Sequence, residues 1–162
     1  MHLLTQPRYR FWIALLTFTL LTGCAGREMR IQEYDQEQAA LSLERAMILA
    51  SARQALGIPY RYGGTTRSGL DCSGLVQMAY ASAGIEVPRT ANQQFSRLPE
   101  RDTIRPGDLL FFGSGSKATH VGIYLGDGQM VHAPGSGRQV TTTPLHLDYW
   151  QDRYLGTVGP AP

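Results

Sequence analysis

The chain has 162 residues, 15 basic and 13 acidic, with a formal charge of +2; this is length enough for one domain with a modest core. Apolar residues at 43% and aromatics at 9% exclude wholesale disorder. Arg8 and Arg10 carry the excess charge: without residues 1–23, 13 basic and 13 acidic residues remain, and that balance excludes nonspecific nucleic-acid binding, which needs a basic face.

Arg8 and Arg10 precede an apolar run, Phe11 to Leu21, followed by Leu21-Thr22-Gly23-Cys24. A basic start, a short apolar stretch and small residues before a cut describe a secretory signal over residues 1–23. The run is too short to span a bilayer, and a buried N-terminal helix is the competing reading. Leu21 to Cys24 resembles the bacterial lipoprotein cleavage box. That resemblance implies that Cys24 becomes the lipid-bearing first residue of the mature chain. With Ala25 rather than Asp next, it implies an outer-membrane anchor facing the periplasm. A lipid tail tethers a domain without making it membrane-spanning. If Cys24 is acylated, Cys72 is left unpaired in an oxidising compartment, where structural thiols are normally paired.

Residues 24–37 are polar with no period and read as the lipidated residue and its tether, leaving 38–162 as the folded domain. From Gln38 to Leu56 the pattern is helical, with Leu43, Ala46, Met47 and Ala50 as the expected apolar face and Gly57 and Pro59 as the stop. Tyr60-Arg61-Tyr62-Gly63-Gly64 leads into Asp71-Cys72-Ser73-Gly74. Leu75, Val76, Ala79 and Ala83 recur at helical spacing, and Gly84 suits the left-handed position past a helix end. Cys72 therefore falls at or beside a helix N-terminus, where the macrodipole favours a thiolate and lowers a cysteine pKa. The alternative is a buried structural cysteine. Thr90 is expected to cap a brief helix over Ala91 to Phe95.

Pro106-Gly107-Asp108 reads as a turn, Leu109 to Phe112 as a buried strand, and Gly113 to Thr119 as a polar loop. His120–Leu125 and Gln129–Ala133 flank Gly126-Asp127-Gly128, a hairpin signal. Val121, Ile123 and Leu125 share one parity; Val131 and Ala133 form the matching apolar set. A three-residue loop aligns these sets, places Gly122 opposite His132, and makes His120 and His132 diagonal neighbours on a polar face. A two-residue loop would put the histidines on opposite faces. Gln139 to Thr143 is a further expected strand, and His146 to Tyr154 a final strand or loop.

Cys72, His120 and His132 fit a nucleophile, a base and a group that orients the base. Metal binding by one Cys and two His is the rival, although the sequence lacks both His-Glu-x-x-His and paired Cys-x-x-Cys. A glycosidase is poorly supported, because Asp71 has no acidic partner nearby in sequence.

Six blocks then occur in order: Tyr60-Arg61-Tyr62-Gly63-Gly64; Gly69 to Val76; Pro88-Arg89-Thr90 with Gln93 and Gln94; Pro106-Gly107-Asp108-Leu109; His120 to Tyr124; and Val131-His132-Ala133. Together they resemble the NlpC-type family of bacterial cell-wall peptidases, papain-like cysteine enzymes, over roughly Ala46 to Tyr154. The resemblance implies an α+β fold, a cysteine-bearing helix packed on an antiparallel sheet that carries both histidines. It implies hydrolysis of amide bonds in peptidoglycan stem peptides, at a D-glutamyl–diamino acid bond or at the diamino acid cross-link. Carried over, Cys72 is nucleophile, His120 base and His132 the orienting residue. Tyr60 points its hydroxyl at the oxyanion, while Asp71, Ser73 and Arg89 contact substrate, Arg89 at a stem carboxylate. Tyr60 as a core residue and Arg89 as a structural one stay open. So do a thiol acyltransferase on the same core and a non-catalytic wall-binding lipoprotein. No cofactor and no metal are expected, and the chain is expected to act as a monomer on peptidoglycan, with its lipid in the membrane.

Overall fold

The computed structural model describes residues 43–159 and 161. The leader at 1–23, Cys24, the tether to residue 37 and the start of the helix expected from Gln38 lie outside the described residues.

Helix α1 covers residues 43–54 and stops before Gly57, which has φ +86°. Its buried face is not the expected one. Ile48, Ala52 and Ala55 are inside, whereas Leu43 is 64% and Met47 41% exposed. The stripe is rotated because it includes Arg45, whose buried guanidinium lies 2.9 Å from the fully buried Asp108 carboxylate. An apolar count passes over an arginine, and so the periodicity pointed to the wrong side.

Strands β1 (Thr65–Thr66) and β2 (Gly69–Leu70) make a small antiparallel hairpin just before helix α2 (Cys72–Ala81). Leu75, Val76, Ala79 and Tyr80 of α2 are fully buried. Each such aliphatic side chain contributes roughly 1.5–3 kcal/mol on burial. Gly84 takes φ +73° past the helix end. Helix α3 (Ala91–Arg97) starts at Thr90 with a reciprocal capping box to Gln93.

Five antiparallel strands follow: β3 (Leu109–Ser114), β4 (Lys117–Gly126), β5 (Gln129–His132), β6 (Thr141–Pro144) and β7 (Tyr154–Val158), in the order β6-β5-β4-β3-β7. Residues 113–119, expected as a loop, instead continue the β3/β4 ladder around Gly115-Ser116, past a register shift at Phe112/Gly113. The region 146–154 contains a short helix, α4 (Asp148–Gln151), ahead of β7.

The β4/β5 hairpin reaches the expected pairing by another route. The turn has two residues, Asp127 and Gly128, at φ +50° and +67°, with Gly126 paired to Gln129. A register shift between Tyr124 and Gly126 then absorbs Leu125, so Tyr124 faces Met130 and Ile123 faces Val131. The bulge restores the parity that the two-residue turn alone would have broken.

The sheet is apolar on both faces. Leu109, Phe111, Val121, Ile123 and Val131 pack with the α1 and α2 residues in the main core. The opposite face, expected to be polar, holds a second cluster of Leu110, Phe112, Met130 and Trp150, the last supplied by α4.

Candidate active site

The site begins with the cap of α2. Asp71 is extended, and its Oδ1 accepts the Gly74 N–H at 2.7 Å and the Ser73 hydroxyl at 3.2 Å. Its Oδ2 accepts the Gly63 N–H at 3.0 Å. Arg89 grips both oxygens, Nη1 to Oδ1 at 3.1 Å and Nη2 to Oδ2 at 2.6 Å, and also donates to Ser73 Oγ at 2.9 Å. Burial works to raise the Asp71 pKa, but the Arg89 guanidinium and the Gly74 and Ser73 donors outweigh it and hold the carboxyl below its ordinary value. Gly74 permits the cap to close on the loop: a Cβ there would lie 2.0 Å from the Gly64 carbonyl oxygen.

Asp71 and Ser73 are thus nearly buried, and their polar atoms are engaged by the protein itself. The substrate contacts expected of Asp71, Ser73 and Arg89 meet a structure in which the three bind one another and shape the ground beneath the thiol.

Cys72 is the first residue of α2 and is partly exposed. Its thiol lies beside the backbone N–H of Val121 and the N–H groups of Ser73 and Cys72 itself. Burial nevertheless dominates and pushes the thiol pKa up; the Val121 N–H opposes this, and the Asp71 charge adds to the rise. The lowered thiol expected from the helix terminus is therefore corrected: in the free protein desolvation outweighs the backbone N–H donors around the sulfur.

Val121 directly follows His120 in β4, so the strand whose backbone meets the thiol also carries the imidazole. His120 Nε2 meets His132 Nδ1 at 2.8 Å, and His132 Nε2 meets Thr143 Oγ1 at 2.9 Å. Trp150 stacks on His120 at 5.5 Å between centroids and stands edge-on to His132 at 5.0 Å. Burial, with the nearby Arg138 charge, pushes His120 down to about 4. Burial, then His120 and Arg138, push His132 down to about 3. Both imidazoles are neutral at pH 7. Among the described residues no group of three or more His, Cys, Asp or Glu converges as a metal site.

Two cavities adjoin at Thr119. One, about 380 Å³, is lined by Tyr60, Cys72, Ser73 and Arg89. The other, about 800 Å³, is lined by His120, His132, Arg138 and Trp150. Tyr60 stands at the thiol cavity, and its pKa is raised by burial and by Cys72 and Asp71, so the hydroxyl keeps its proton and remains a donor. Sequence reasoning did not single out Thr143, Trp150 or Arg138. Trp150 had a signal, as one of the two tryptophans in the chain; Arg138 sits in a Gly-Ser-Gly loop with nothing local to mark it.

An α+β domain with a thiol at a capped helix N-terminus and an imidazole pair on the adjoining strands has the frame of a papain-like cysteine peptidase. More particularly, the chain belongs to the NlpC/P60 family, whose model matches residues 57–159. It is 38% identical over 130 residues to Murein DD-endopeptidase MepH of Escherichia coli K12, covering 75% of this chain and 48% of that protein. It is 37% identical over 154 residues to Probable endopeptidase NlpC of the same organism, covering 90% of this chain and 96% of the relative. The crystal structure of an NlpC/P60 family protein from Bacillus cereus ATCC 10987 superimposes with a TM-score of 0.69 at 34% identity, over 73% of this chain and 40% of that one. The chain spans about half or less of the length of the first curated relatives, 48% and 31%.

Proposed function

We propose that this protein is a cysteine endopeptidase that hydrolyses an amide bond in peptidoglycan stem peptides and leaves the glycan intact. The bond is the D-glutamyl–diamino acid bond or the diamino acid cross-link. The observation that carries the reading is that the Cys72 thiol and the hydrogen-bonded His120–His132 pair line two cavities that adjoin at Thr119. Membership of a family that includes a relative named as a murein endopeptidase supports it.

The chemistry follows from the atoms. His120 Nε2 is committed to His132, which leaves Nδ1 for the thiol. If Nε2–H donates to His132 Nδ1, then His132 carries its own proton on Nε2 and donates it to Thr143 Oγ1. Thiol and imidazole are both neutral at rest, so proton transfer to His120 accompanies attack of Sγ on the carbonyl carbon. The oxyanion forms beside the Tyr60 hydroxyl and the Cys72 N–H. His120 then returns the proton to the leaving nitrogen, the amine departs, and the acyl group remains as a thioester. Water, deprotonated by His120, cleaves the thioester to a carboxylic acid and restores the thiol. His132 holds the base in one tautomer throughout.

We place the domain in the cell envelope, lipid-anchored through Cys24 and facing the periplasm from the outer membrane. The leader and the cleavage-box resemblance support this. The 13-residue polar segment Ala25 to Glu37, fully extended, reaches at most ~3.3–3.6 Å per residue, some tens of ångströms. Fatty-acid labelling of wild type but not Cys24→Ala is the expected result.

The reaction is tested on purified sacculi with the protein and its Cys72→Ala variant. New amine termini on unbroken glycan strands are expected from the wild type alone. New reducing sugar ends without new amines, or equal release by both proteins, would overturn the reading.

A further inference from the structure

Arg138 lines the larger cavity together with both imidazoles. Its backbone is fixed: its N–H donates to the Gly135 carbonyl at 3.2 Å and its carbonyl accepts the Tyr60 N–H at 2.8 Å, next to the Pro59–Gln139 bridge. Its side chain is exposed and, among the described residues, makes neither an ion pair nor a hydrogen bond. Of the other arginines, Arg89 is engaged by Asp71 and Arg45 by Asp108. Among the described residues no acidic side chain lines the cavity. The positive charge of Arg138 adds to the lowering of both histidine pKa values, behind burial.

Which half of a substrate enters this cavity follows from the proposed peptidase reading, on which the inference rests. The general acid must lie within hydrogen-bond reach of the leaving nitrogen. His120 lines this cavity, whereas the thiol and Tyr60 line the other. The acyl side therefore belongs with Tyr60 and the amine side with Arg138. The two candidate bonds share a leaving group: in each, the released amine belongs to the diamino acid. That residue carries, besides its amines, carboxylates that a guanidinium pairs with bidentately. Trp150, Tyr149 and Leu147 offer an apolar wall for its aliphatic chain.

We propose that the cavity beyond the histidine pair is the leaving-group subsite and that Arg138 binds a free carboxylate of the diamino acid whose amine is released. Arg138, and not the Asp71-bound Arg89, is then the cation that reads the substrate.

The test uses two cross-linked stem peptides that differ only at the diamino acid carboxylate nearest the released amine, free in one and amidated in the other. Amine release gives kcat/KM for wild type, Arg138→Ala and Arg138→Lys. Wild type should favour the free carboxylate by about ten- to a hundredfold, the range for a charge-assisted hydrogen bond. Arg138→Ala should bring the two substrates to near equality by losing activity only on the first, and Arg138→Lys should recover part of the preference. Equal loss on both substrates, or a wild type indifferent to amidation, would overturn the assignment of Arg138 and leave the peptidase reading standing. Failure of the wild type to cleave either substrate would overturn that reading and this one with it.

Discussion

Replacing Asp71 with Asn tests two opposed consequences of one carboxylate. In the wild type, Oδ1 receives donors from Gly74, Ser73 and Arg89, and Oδ2 from Arg89 and Gly63. An asparagine can keep its oxygen at the Oδ1 position and so preserve the helix cap. Its NH2 group then faces two donors, Gly63 N–H and Arg89 Nη2. One unmet main-chain N–H in this half-closed site costs about 1–3 kcal/mol. Arg89 is 35% exposed in its side chain and can turn to water, so losing the ion pair adds only about 0–1 kcal/mol. The expected destabilisation of Asp71→Asn is roughly 1–4 kcal/mol, and Asp71→Ala, which also removes the cap, should lose about 1 kcal/mol more.

The second consequence has the opposite sign for the nucleophile. The Asp71 charge raises the Cys72 pKa, so its removal should make the thiol more acidic. Urea unfolding measures the first effect, and the rate of iodoacetamide alkylation near pH 7.5 in the still-folded variant the second. The stability gap should also depend on pH. A carboxyl held below its ordinary value of 3.8 contributes stability above that pH and loses it as pH falls through the folded value, so wild type and variant should converge in acid. A variant within about 0.5 kcal/mol of wild type, the usual range for surface changes, or one whose folded thiol alkylates more slowly, would refute the reasoning.

The imidazoles supply a pH prediction. With His120 pushed down to about 4, the base stays competent well below the ordinary histidine range, and the acid limb of kcat/KM should fall near pH 4–5 instead of near 6.5. The histidine pair should also cost stability in acid: both stay neutral when folded, so their contribution is full above the unfolded value of 6.5 and is lost as pH falls from there toward the folded values. Thr143→Val removes the partner of His132 Nε2 and should lower kcat by about tenfold, with Thr143→Ser close to wild type; imidazole nitrogen shifts should report mixed tautomers in the valine variant only.

What could be read in advance was what depends on neighbours in sequence. The Thr90 cap, the Gly84 stop and the polar-apolar alternation around Gly126-Asp127-Gly128 each rest on a few adjacent residues, and each corresponds to an observed feature. The facing of His120 and His132 followed from that alternation even though the turn was misjudged, because a buried sheet face tolerates no slip and the chain inserted a bulge instead. Features that need distant partners were not legible. The Asp71–Arg89 pair spans 18 positions, and nothing local in the sequence marks it. The second apolar face of the sheet depends on Trp150 arriving from α4, and its absence from the sequence reading made Met130 look like a polar-side residue.

Arg45 presents the same limit in its most consequential form, and it can be tested directly. Its guanidinium reaches Asp108, the Pro106 carbonyl at 2.8 Å and the Ala161 carbonyl at 3.2 Å, tying α1 to the turn before β3 and to the C-terminal residues. Asp108 Oδ2 also accepts the Arg105 N–H at 2.7 Å, so the carboxylate organises the turn from inside. Such a pair adds little net stability over a well-packed apolar substitute, yet breaking it from one side strands a buried charge at about 3–5 kcal/mol. Arg45→Met should therefore destabilise the domain by that amount. Arg45→Met combined with Asp108→Asn should lose markedly less than the two single variants summed, because the amide can still accept from Arg105 while no charge is stranded. Strict additivity would show that the two side chains act independently. It would also remove the explanation for why α1 turns its arginine, and not Leu43 and Met47, toward the core that supports the histidine strands.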